Sequence, residues 1–265
     1  MRIARVSADR LRRWLATRHP LRSEAAAVLG LYGLYELARG LVVGDAHNAD
    51  RHARRVVALE RWLHVFLEAN VQHAARALPG LTSLLGTAYL TLHLAVTAGV
   101  LLWLYQRRPD AFPFVRTTLL LASGLSLIGF LVYPTAPPRL AGIGIVDTVS
   151  NGHVDLNKGL VSSLYNPYAA VPSMHIGYAL IVAAGLHLYA RRPLVRAVGS
   201  LYPLFVLFVV VATGNHFFFD AASGAVVAAV AAAAAVPLTR PATGGRTREV
   251  PTQAELLPAY EELAA

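Results

Sequence analysis

The sequence predicts an all-α integral membrane protein, a bundle of six transmembrane helices with an interfacial amphipathic helix between helices one and two. Composition is the first observation, because 55% of the 265 residues are hydrophobic and only 15% are charged, whereas soluble domains carry about a quarter charged residues. The second is that the apolar residues form separate runs, each near the roughly 20 residues needed to cross a bilayer. The third is that arginines lie between these runs, where membrane topology places basic residues.

Composition and charge also exclude several classes of function. The chain contains no cysteine, which rules out disulfides and thiolate metal sites. A formal net charge of +9 would suit a nucleic-acid-binding protein, but here the arginines punctuate apolar runs, as membrane proteins require. We therefore expect a bilayer environment and no nucleic-acid partner. The sequence gives no indication of the oligomeric state.

The chain begins with a basic segment, residues 1–22, which carries seven arginines and which we expect to lie in the cytoplasm. The first predicted span follows at residues 25–44 and is apolar except for Glu36 and Arg39. These two residues are three apart and can pair on one face of a helix. No small-residue cleavage site follows, so we interpret the run as an uncleaved membrane helix.

Residues 45–79 form the predicted amphipathic segment. Apolar residues recur there at helical spacing among four acidic residues and five arginines. Such a segment is too polar to span, so we expect it to lie along the membrane interface or to pack on the bundle.

Five further apolar runs complete the predicted bundle. They cover residues 81–105, 114–132, 172–190, 194–212 and 217–236. The last run has small residues at helical spacing, which is typical of close helix contacts in membranes. Residues 23–238 thus form one predicted membrane domain. Residues 239–265 are polar, with Pro and Gly, and we expect a disordered cytoplasmic tail.

The distribution of basic residues predicts the orientation. With the N-terminus inside, the inner segments hold sixteen Lys and Arg residues and the outer segments hold seven. This excess predicts a multi-pass protein of the cell membrane with both termini in the cytoplasm. Arg139, His175 and His216 would then all reach the extracytoplasmic face, so we place the active site there.

Two short motifs at the mouths of predicted helices carry the candidate chemistry. Residues 172–177, Pro-Ser-Met-His-Ile-Gly, open the fourth helix. Proline suits a first helical turn, and the free N–H groups of that turn can bind a phosphate oxyanion. Residues 214–220, Gly-Asn-His-Phe-Phe-Phe-Asp, open the sixth helix. His216 and Asp220 are four residues apart there, so they share a helix face.

These residue types suit phosphoryl transfer through a histidine. A histidine nucleophile needs one free ring nitrogen and a carboxylate on the other, which His216 and Asp220 offer. His175 is placed to give a proton to the leaving alkoxide. Cations and N–H donors must hold the charge of the phosphate oxygens. The candidates for that role are Arg139, Ser173, Met174, Gly177 and Asn215.

Each of these features also has a structural interpretation. The pair His216 and Asp220 could be an i,i+4 structural contact, and Pro172 could mark only a helix start. We interpret His93 and His187 as polar packing residues. Taken together on one side of the membrane, the motif residues favour a function, because ionisable residues at membrane-helix mouths are usually functional. The chain has no dense ligand cluster such as H-E-x-x-H, so we expect neither a metal nor another cofactor.

The two motifs resemble the second and third signatures of the type 2 phosphatidic acid phosphatase superfamily, P-S-x-H and S-R-x5-H-x3-D. The resemblance covers residues 80–236 and implies a six-helix membrane enzyme with a phosphohistidine mechanism. It implies His175 as the acid, His216 as the nucleophile and Asp220 as its partner. Two family cations are replaced, since Val210 stands at the arginine of the third signature and Val132 at the lysine of the first.

The segment after the third span, Tyr133-Pro134-x-x-Pro137-Pro138-Arg139, resembles the inositol phosphorylceramide synthase branch, whose members transfer a phospho-head-group between lipids. The expected substrate is a lipid phosphate or phospholipid, and the acceptor is water or a hydroxyl compound such as inositol. A head-group phosphotransferase is therefore one alternative to a phosphatase. A non-enzymatic membrane scaffold or transporter is another, and it would leave the two histidines apart.

Overall fold

The computed structural model of the chain describes residues 11–41, 45–149 and 166–240. Within these ranges the architecture is helical, and the only bridge between extended segments joins Thr135 and Ala169. The helices are α1 (Leu21–Leu41), α2 (Ala46–Trp62), α3 (Glu68–Arg76), α4 (Leu81–Arg107), α5 (Phe112–Val132), α6 (Met174–Tyr189), α7 (Pro193–Ala212) and α8 (Phe218–Thr239), with a 3₁₀ turn at Pro138–Leu140.

Several helices are suited to crossing a membrane. Helices α4, α5, α7 and α8 are each long and apolar enough, and counting α1 with α2 as one bent span gives up to five. Helix α6 is apolar but has only 16 residues, or about 24 Å at 1.5 Å per residue. The protein is therefore helical with several membrane-length helices, and the six-span count stays a prediction.

The structure describes only parts of the two predicted terminal segments. In the basic segment 1–22, the described residues begin at residue 11. In the predicted tail 239–265, they end at residue 240. The middle of the loop between α5 and α6, including Lys158, lies outside them as well. The division into a basic segment, a membrane domain and a tail stays a prediction.

The centre of the bundle consists of α5, α6 and α8, which pack against one another. Two glycines let the segment before α6 lie between the other two helices. A Cβ on Gly129 of α5 would lie 2.5 Å from Cδ of Pro172, and a Cβ on Gly224 of α8 would lie 2.1 Å from the carbonyl oxygen of Ser173. Real side chains do not tolerate such distances, so glycine at these positions allows the close approach.

The amphipathic segment forms two helices, where the sequence predicted one. Helix α2 ends at a left-handed residue, His64, with φ of 60°, and the N–H of Val65 donates to the carbonyl of Glu60, which is a common way for a helix to end. The turn redirects α3, so that α2 and α3 both pack on the end of the bundle where α8 begins. Whether they also lie at a membrane interface stays a prediction.

Helix α1 is held against the bundle at both of its ends. Near its N-terminus, Glu24 forms a buried ion pair with Arg116 of α5, at 2.6 Å between Oε1 and Nη1. Arg116 also donates to the carbonyls of Trp14 and Leu15. Near its C-terminus, the side-chain amide of Asn166 donates to the carbonyl of Arg39 at 3.1 Å. Because of these contacts, the last turn of α1 lies beside the segment that precedes α6.

Candidate active site

A pocket at one end of the bundle collects residues from distant parts of the chain. It encloses about 540 Å³ of space that protein atoms do not fill, part of it open to the surroundings. Its walls come from the end of α1, the middle of α4, the segment after α5, the start of α6 and the turn before α8. The polar lining residues are Tyr32, Tyr35, Glu36, Arg39, Tyr89, His93, Arg139, Asn166, His175, Tyr178, Asn215 and His216.

His216 lies in the turn that leads into α8 and is held by the first turn of that helix. Its Nδ1 lies 3.3 Å from Oδ2 of Asp220, and the imidazole is 5% exposed whereas Asp220 is fully buried. The same oxygen accepts the N–H of Phe217 at 2.9 Å, which fixes the carboxylate. A carboxylate only accepts hydrogen bonds, so Nδ1 carries the proton and Nε2 is the ring nitrogen available to a ligand.

His175 lies in the first turn of α6, and its ring centroid is 5.7 Å from that of His216. Its Nε2 lies 3.3 Å from the carbonyl oxygen of Tyr89, and its ring stacks on the Tyr89 ring at 4.4 Å. A carbonyl also only accepts, so Nε2 donates in this contact and Nδ1 is left for proton transfer. Each histidine therefore has one nitrogen held by an acceptor and one nitrogen for chemistry.

His93 is a third histidine of the pocket. It follows Tyr89 by four residues on α4, and its ring makes an edge contact with the ring of His175 at 4.3 Å. The interpretation of His93 as a packing residue thus omitted its place beside His175. His187, by contrast, contacts Ser200 at 3.0 Å and does not line the pocket.

Arg139 is tied to the turn that carries His216. Its backbone N–H donates to the carbonyl of Gly214, and its Nη1 donates to Oδ1 of Asn215 at 2.8 Å. Its Nε donates to Oδ2 of Asp147 at 3.1 Å. Asn215 in turn donates from Nδ2 to the hydroxyl of Thr213 at 2.8 Å. Asn215 therefore orients Arg139 at the pocket wall.

The predicted phosphate-binding residues of the α6 N-terminus divide into two groups. Met174 lines the pocket, as does its neighbour His175, the predicted acid. Ser173 is fully buried, its carbonyl packs against Gly224, and a Cβ on Gly177 would lie 3.3 Å from the Gly224 carbonyl. The backbone N–H of Ser173 donates to the Asp220 carbonyl at 3.0 Å. Ser173 and Gly177 therefore join α6 to α8, away from the pocket lining.

Two buried glutamates from the amphipathic segment bind the start of α8. The N–H of Phe218 donates to Oε1 of Glu68 at 3.1 Å, and the N–H of Phe219 donates to Oε1 of Glu60 at 2.7 Å. Together with Asp220, which accepts the N–H of Phe217, they satisfy the first N–H groups at the start of the helix. Burial, with a further contribution from the neighbouring Glu68 carboxyl, raises the pKa of Glu60 to about 9.

The turn before α8 is also held from the side. Gly214 has φ of 70°, and a Cβ there would lie 2.8 Å from Cγ2 of Ile145. Gln72 of α3 exchanges hydrogen bonds with the backbone of Val146 and donates to the Ala212 carbonyl at 3.2 Å. The turn thus needs glycine, and α3 fastens it to the segment after α5.

The two positions where the family pattern has cations contribute none here. Val132 is 71% exposed at the end of α5 and does not line the pocket. Val210 is fully buried in an apolar cluster of α7, and its carbonyl accepts the N–H groups of Asn215 and His216. Val210 therefore supports the turn through its backbone while its side chain packs in the core.

Several residues of the site were not predicted from the sequence. Glu60 and Glu68 reach it from segments far along the chain, whereas Asp147 lies in the same loop as its partner Arg139. The sequence spacing of these residues does not indicate the contacts. Glu60 did carry a usable signal, since it shares the buried face of α2 with Val56 and an acid on an apolar face needs a partner. Glu36 and Arg39 form the predicted i,i+3 pair, at 3.3 Å, and they also line the pocket.

Comparison with known proteins gives one match. A family model described as the PAP2 superfamily matches residues 54–234, which is more than half of the chain. Neither the curated proteins nor the solved structures gave a match.

Proposed function

The chain belongs to the PAP2 superfamily, whose members are generally phosphatases or phosphotransferases, and from this premise we propose that it cleaves a lipid phosphate ester or phosphodiester through a phosphohistidine. The observation that carries the proposal is the pairing of two histidines at 5.7 Å, with Asp220 on Nδ1 of His216. That distance lets both rings reach a single phosphate group.

In the first step, Nε2 of His216 attacks phosphorus and a P–N bond forms. The bond between phosphorus and the leaving oxygen breaks, and Nδ1 of His175 gives its proton to that oxygen. Asp220 stabilises the positive charge that develops on the His216 ring. Arg139 offsets negative charge on the phosphate oxygens. The carbonyl of Tyr89 accepts a hydrogen bond from Nε2 of protonated His175.

In the second step, His175 is neutral and takes a proton from the acceptor hydroxyl. The acceptor oxygen attacks phosphorus, the P–N bond breaks, and His216 returns to its starting form. With water as acceptor, a phosphomonoester gives inorganic phosphate and a phosphodiester gives a phosphomonoester, whereas with an alcohol the product is a new phosphate ester. The same residues serve both outcomes, so the occupant of the acceptor position decides between phosphatase and phosphotransferase.

The head-group phosphotransferase is a second candidate function. It is favoured by the segment from Tyr133 to Arg139, which resembles the inositol phosphorylceramide synthase branch, and by the position of Arg139 at the pocket wall. A scaffold or transporter has less support, because it gives no reason for two histidines to share a pocket with Arg139.

The experiment is to incubate the purified protein with a panel of phospholipids and polyprenyl phosphates, with and without inositol. Free phosphate and new lipid species are both measured. We expect turnover of at least one lipid phosphate by the wild-type protein and none by His216→Ala. Lipid product that depends on inositol would identify a transferase, and phosphate alone would identify a phosphatase. Wild-type turnover that persists in His216→Ala would refute the proposal.

A further inference from the structure

The pocket contains a second arginine, Arg39, that the proposed mechanism does not use. It lies in the last turn of α1 and lines the same pocket as His175 and His216. The family match begins at residue 54, so Arg39 belongs to a part of the chain outside that match. Its role must be inferred from its surroundings in this structure.

Much of the hydrogen-bonding capacity of Arg139 is used within the protein. Its side chain is 1% exposed, and it donates from Nε to Asp147 and from Nη1 to Asn215. A phosphate ester brings one or two negative charges into the pocket. An ion removed from water is stable only when it is paired with opposite charge, so a second cation would improve the binding of such a ligand.

Arg39 is held where it can supply that charge. Its Nη2 lies 3.3 Å from Oε2 of Glu36, and its side chain is 22% exposed, against 1% for Arg139. Asn166, another lining residue, binds the Arg39 carbonyl at 3.1 Å and so fixes the end of α1 at the pocket. A guanidinium has five N–H donors in a planar fork, so it can contact Glu36 and a phosphate oxygen at once.

We propose that Arg39 is a phosphate-binding residue of this site, contributed by α1, and that Glu36 is the carboxylate that pairs with its guanidinium when no ligand is bound. The ligand class is a phosphate mono- or diester, and inorganic phosphate has the same binding group. The inference rests on the proposed function for the reaction, but the binding of phosphate to Arg39 can be measured without any turnover. It gives α1 a role in the site in addition to its role as an apolar helix.

A purely structural ion pair is the competing explanation, since a cation in the last turn of a helix is favourable by itself. The two explanations differ in what they expect of Glu36. If the pair is structural, Glu36→Gln and Arg39→Gln break the same contact and have the same effect. If Arg39 binds phosphate, Glu36 competes with the ligand for the guanidinium, and its neutralisation leaves phosphate affinity unchanged or raises it.

The test measures the dissociation constant of inorganic phosphate by calorimetry on the purified full-length chain in detergent. The variants are Arg39→Gln, Arg39→Lys and Glu36→Gln, with Arg55→Gln as the control. Arg55 is an exposed arginine of α2 that does not line the pocket. Loss of a hydrogen bond to a charged group costs on the order of a 10- to 100-fold weaker affinity, which we expect for Arg39→Gln and not for Arg55→Gln.

Two further results are expected. Arg39→Lys should weaken phosphate binding less than Arg39→Gln does, because it keeps the charge but loses the planar fork. Glu36→Gln should bind phosphate as well as the wild type or better. Melting temperatures are recorded for every variant, and if Arg39→Gln does not fold, the Arg39→Lys and Glu36→Gln constants decide the question.

Wild-type affinity in a folded Arg39→Gln variant would overturn the inference. So would equal losses of affinity in Glu36→Gln and Arg39→Gln, or the absence of phosphate binding by the wild type.

Failure of the proposed function would give a different pattern of results. If phosphate binding depends on Arg39 but the wild type turns over no lipid phosphate, the inference stands and the enzymatic proposal fails. If lipid turnover by Arg39→Gln equals that of the wild type at every substrate concentration, the inference fails and the enzymatic proposal stands.

Discussion

Among the residues of the site, the two histidines differ in the group that holds them. Asp220, a fully buried carboxylate, binds His216, whereas a backbone carbonyl binds His175. A carboxylate stabilises an imidazolium more strongly than a neutral carbonyl does. This difference suits His216 to carry a covalently bound phosphoryl group and His175 to gain and lose a proton.

The proposed roles predict different dependence on the leaving group. His216→Ala should abolish turnover of every substrate, because no covalent intermediate can form. His175→Ala should lose about 10²- to 10⁴-fold with alkyl phosphates, the usual contribution of a general acid. In the first step it should lose much less with a nitrophenyl phosphate, whose leaving group needs no proton. Asp220→Asn should lie between them, because the imidazole remains but its tautomer is no longer fixed.

Release of the leaving group from alkyl and aryl esters in a single turnover checks this prediction, because it reports the first step alone. An aryl ester can bind poorly in a lipid pocket, so the comparison uses ratios of mutant to wild-type rates for each ester. If His175→Ala lost the same factor on both esters, the acid role would be excluded.

Among the elements, the start of α8 depends on contacts from three other segments. Helices α2 and α3 supply Glu60 and Glu68 to its free N–H groups, and the start of α6 lies against Gly224. The position of His216 is therefore set by how these helices pack. Changes that alter the packing should alter the reaction without touching either histidine.

The two glycines of α5 provide a matched pair of substitutions. A Cβ on Gly129 would lie 2.5 Å from Pro172, whereas a Cβ on Gly124 would meet nothing within 4 Å. We expect Gly129→Ala to destabilise the fold by about 1–3 kcal/mol through overpacking and to reduce turnover, because Pro172 precedes His175 closely. Gly124→Ala should be neutral or stabilising by up to about 1 kcal/mol. Thermal unfolding and turnover are measured for both variants, and equal behaviour would contradict the packing at Pro172.

Glu60 predicts a pH dependence of stability. Its pKa of about 9 in the fold lies above the ordinary value of 4.5, so between these values the folded chain holds a proton that the unfolded chain has lost. The contribution of Glu60 to stability is thus full below pH 4.5 and falls as pH rises towards 9. Glu60→Gln does not titrate and keeps an acceptor for Phe219. Its melting temperature should therefore rise relative to the wild type between pH 5 and 9, and parallel curves would contradict the raised pKa.

For the whole molecule, features that depend on neighbouring residues could be predicted from the sequence, and features that depend on contacts between distant segments could not. The apolar runs of α4, α5, α7 and α8 and the motifs around His175 and His216 are local patterns, so their helices and helix mouths could be predicted. The break at His64 and the contact of Glu60 with Phe219 depend on how helices pack, and the contact of Asp147 with Arg139 depends on how the loop after α5 folds. The hydrophobic periodicity of the sequence does not indicate any of these contacts.

The orientation of the chain in the membrane can be tested because the sequence contains no cysteine. A single introduced cysteine is then the only thiol of this chain that a maleimide can label. Ala77 is exposed at the pocket end, between α3 and α4, and Asp110 is exposed at the opposite end, between α4 and α5. We expect a membrane-impermeant maleimide to label Ala77→Cys in intact cells and Asp110→Cys only after lysis. The reverse pattern would place the pocket in the cytoplasm.

The covalent role of His216 is the central claim, and trapping the intermediate tests it most directly. The protein is mixed with a substrate labelled in its phosphate, quenched in base, and examined for labelled protein, since phosphohistidine survives base and is lost in acid. We predict base-stable, acid-labile label on the peptide that contains His216, more of it in His175→Ala with an activated ester, and none in His216→Ala. Turnover by the wild type with no label on that peptide under any quench, or undiminished label in His216→Ala, would contradict the mechanism.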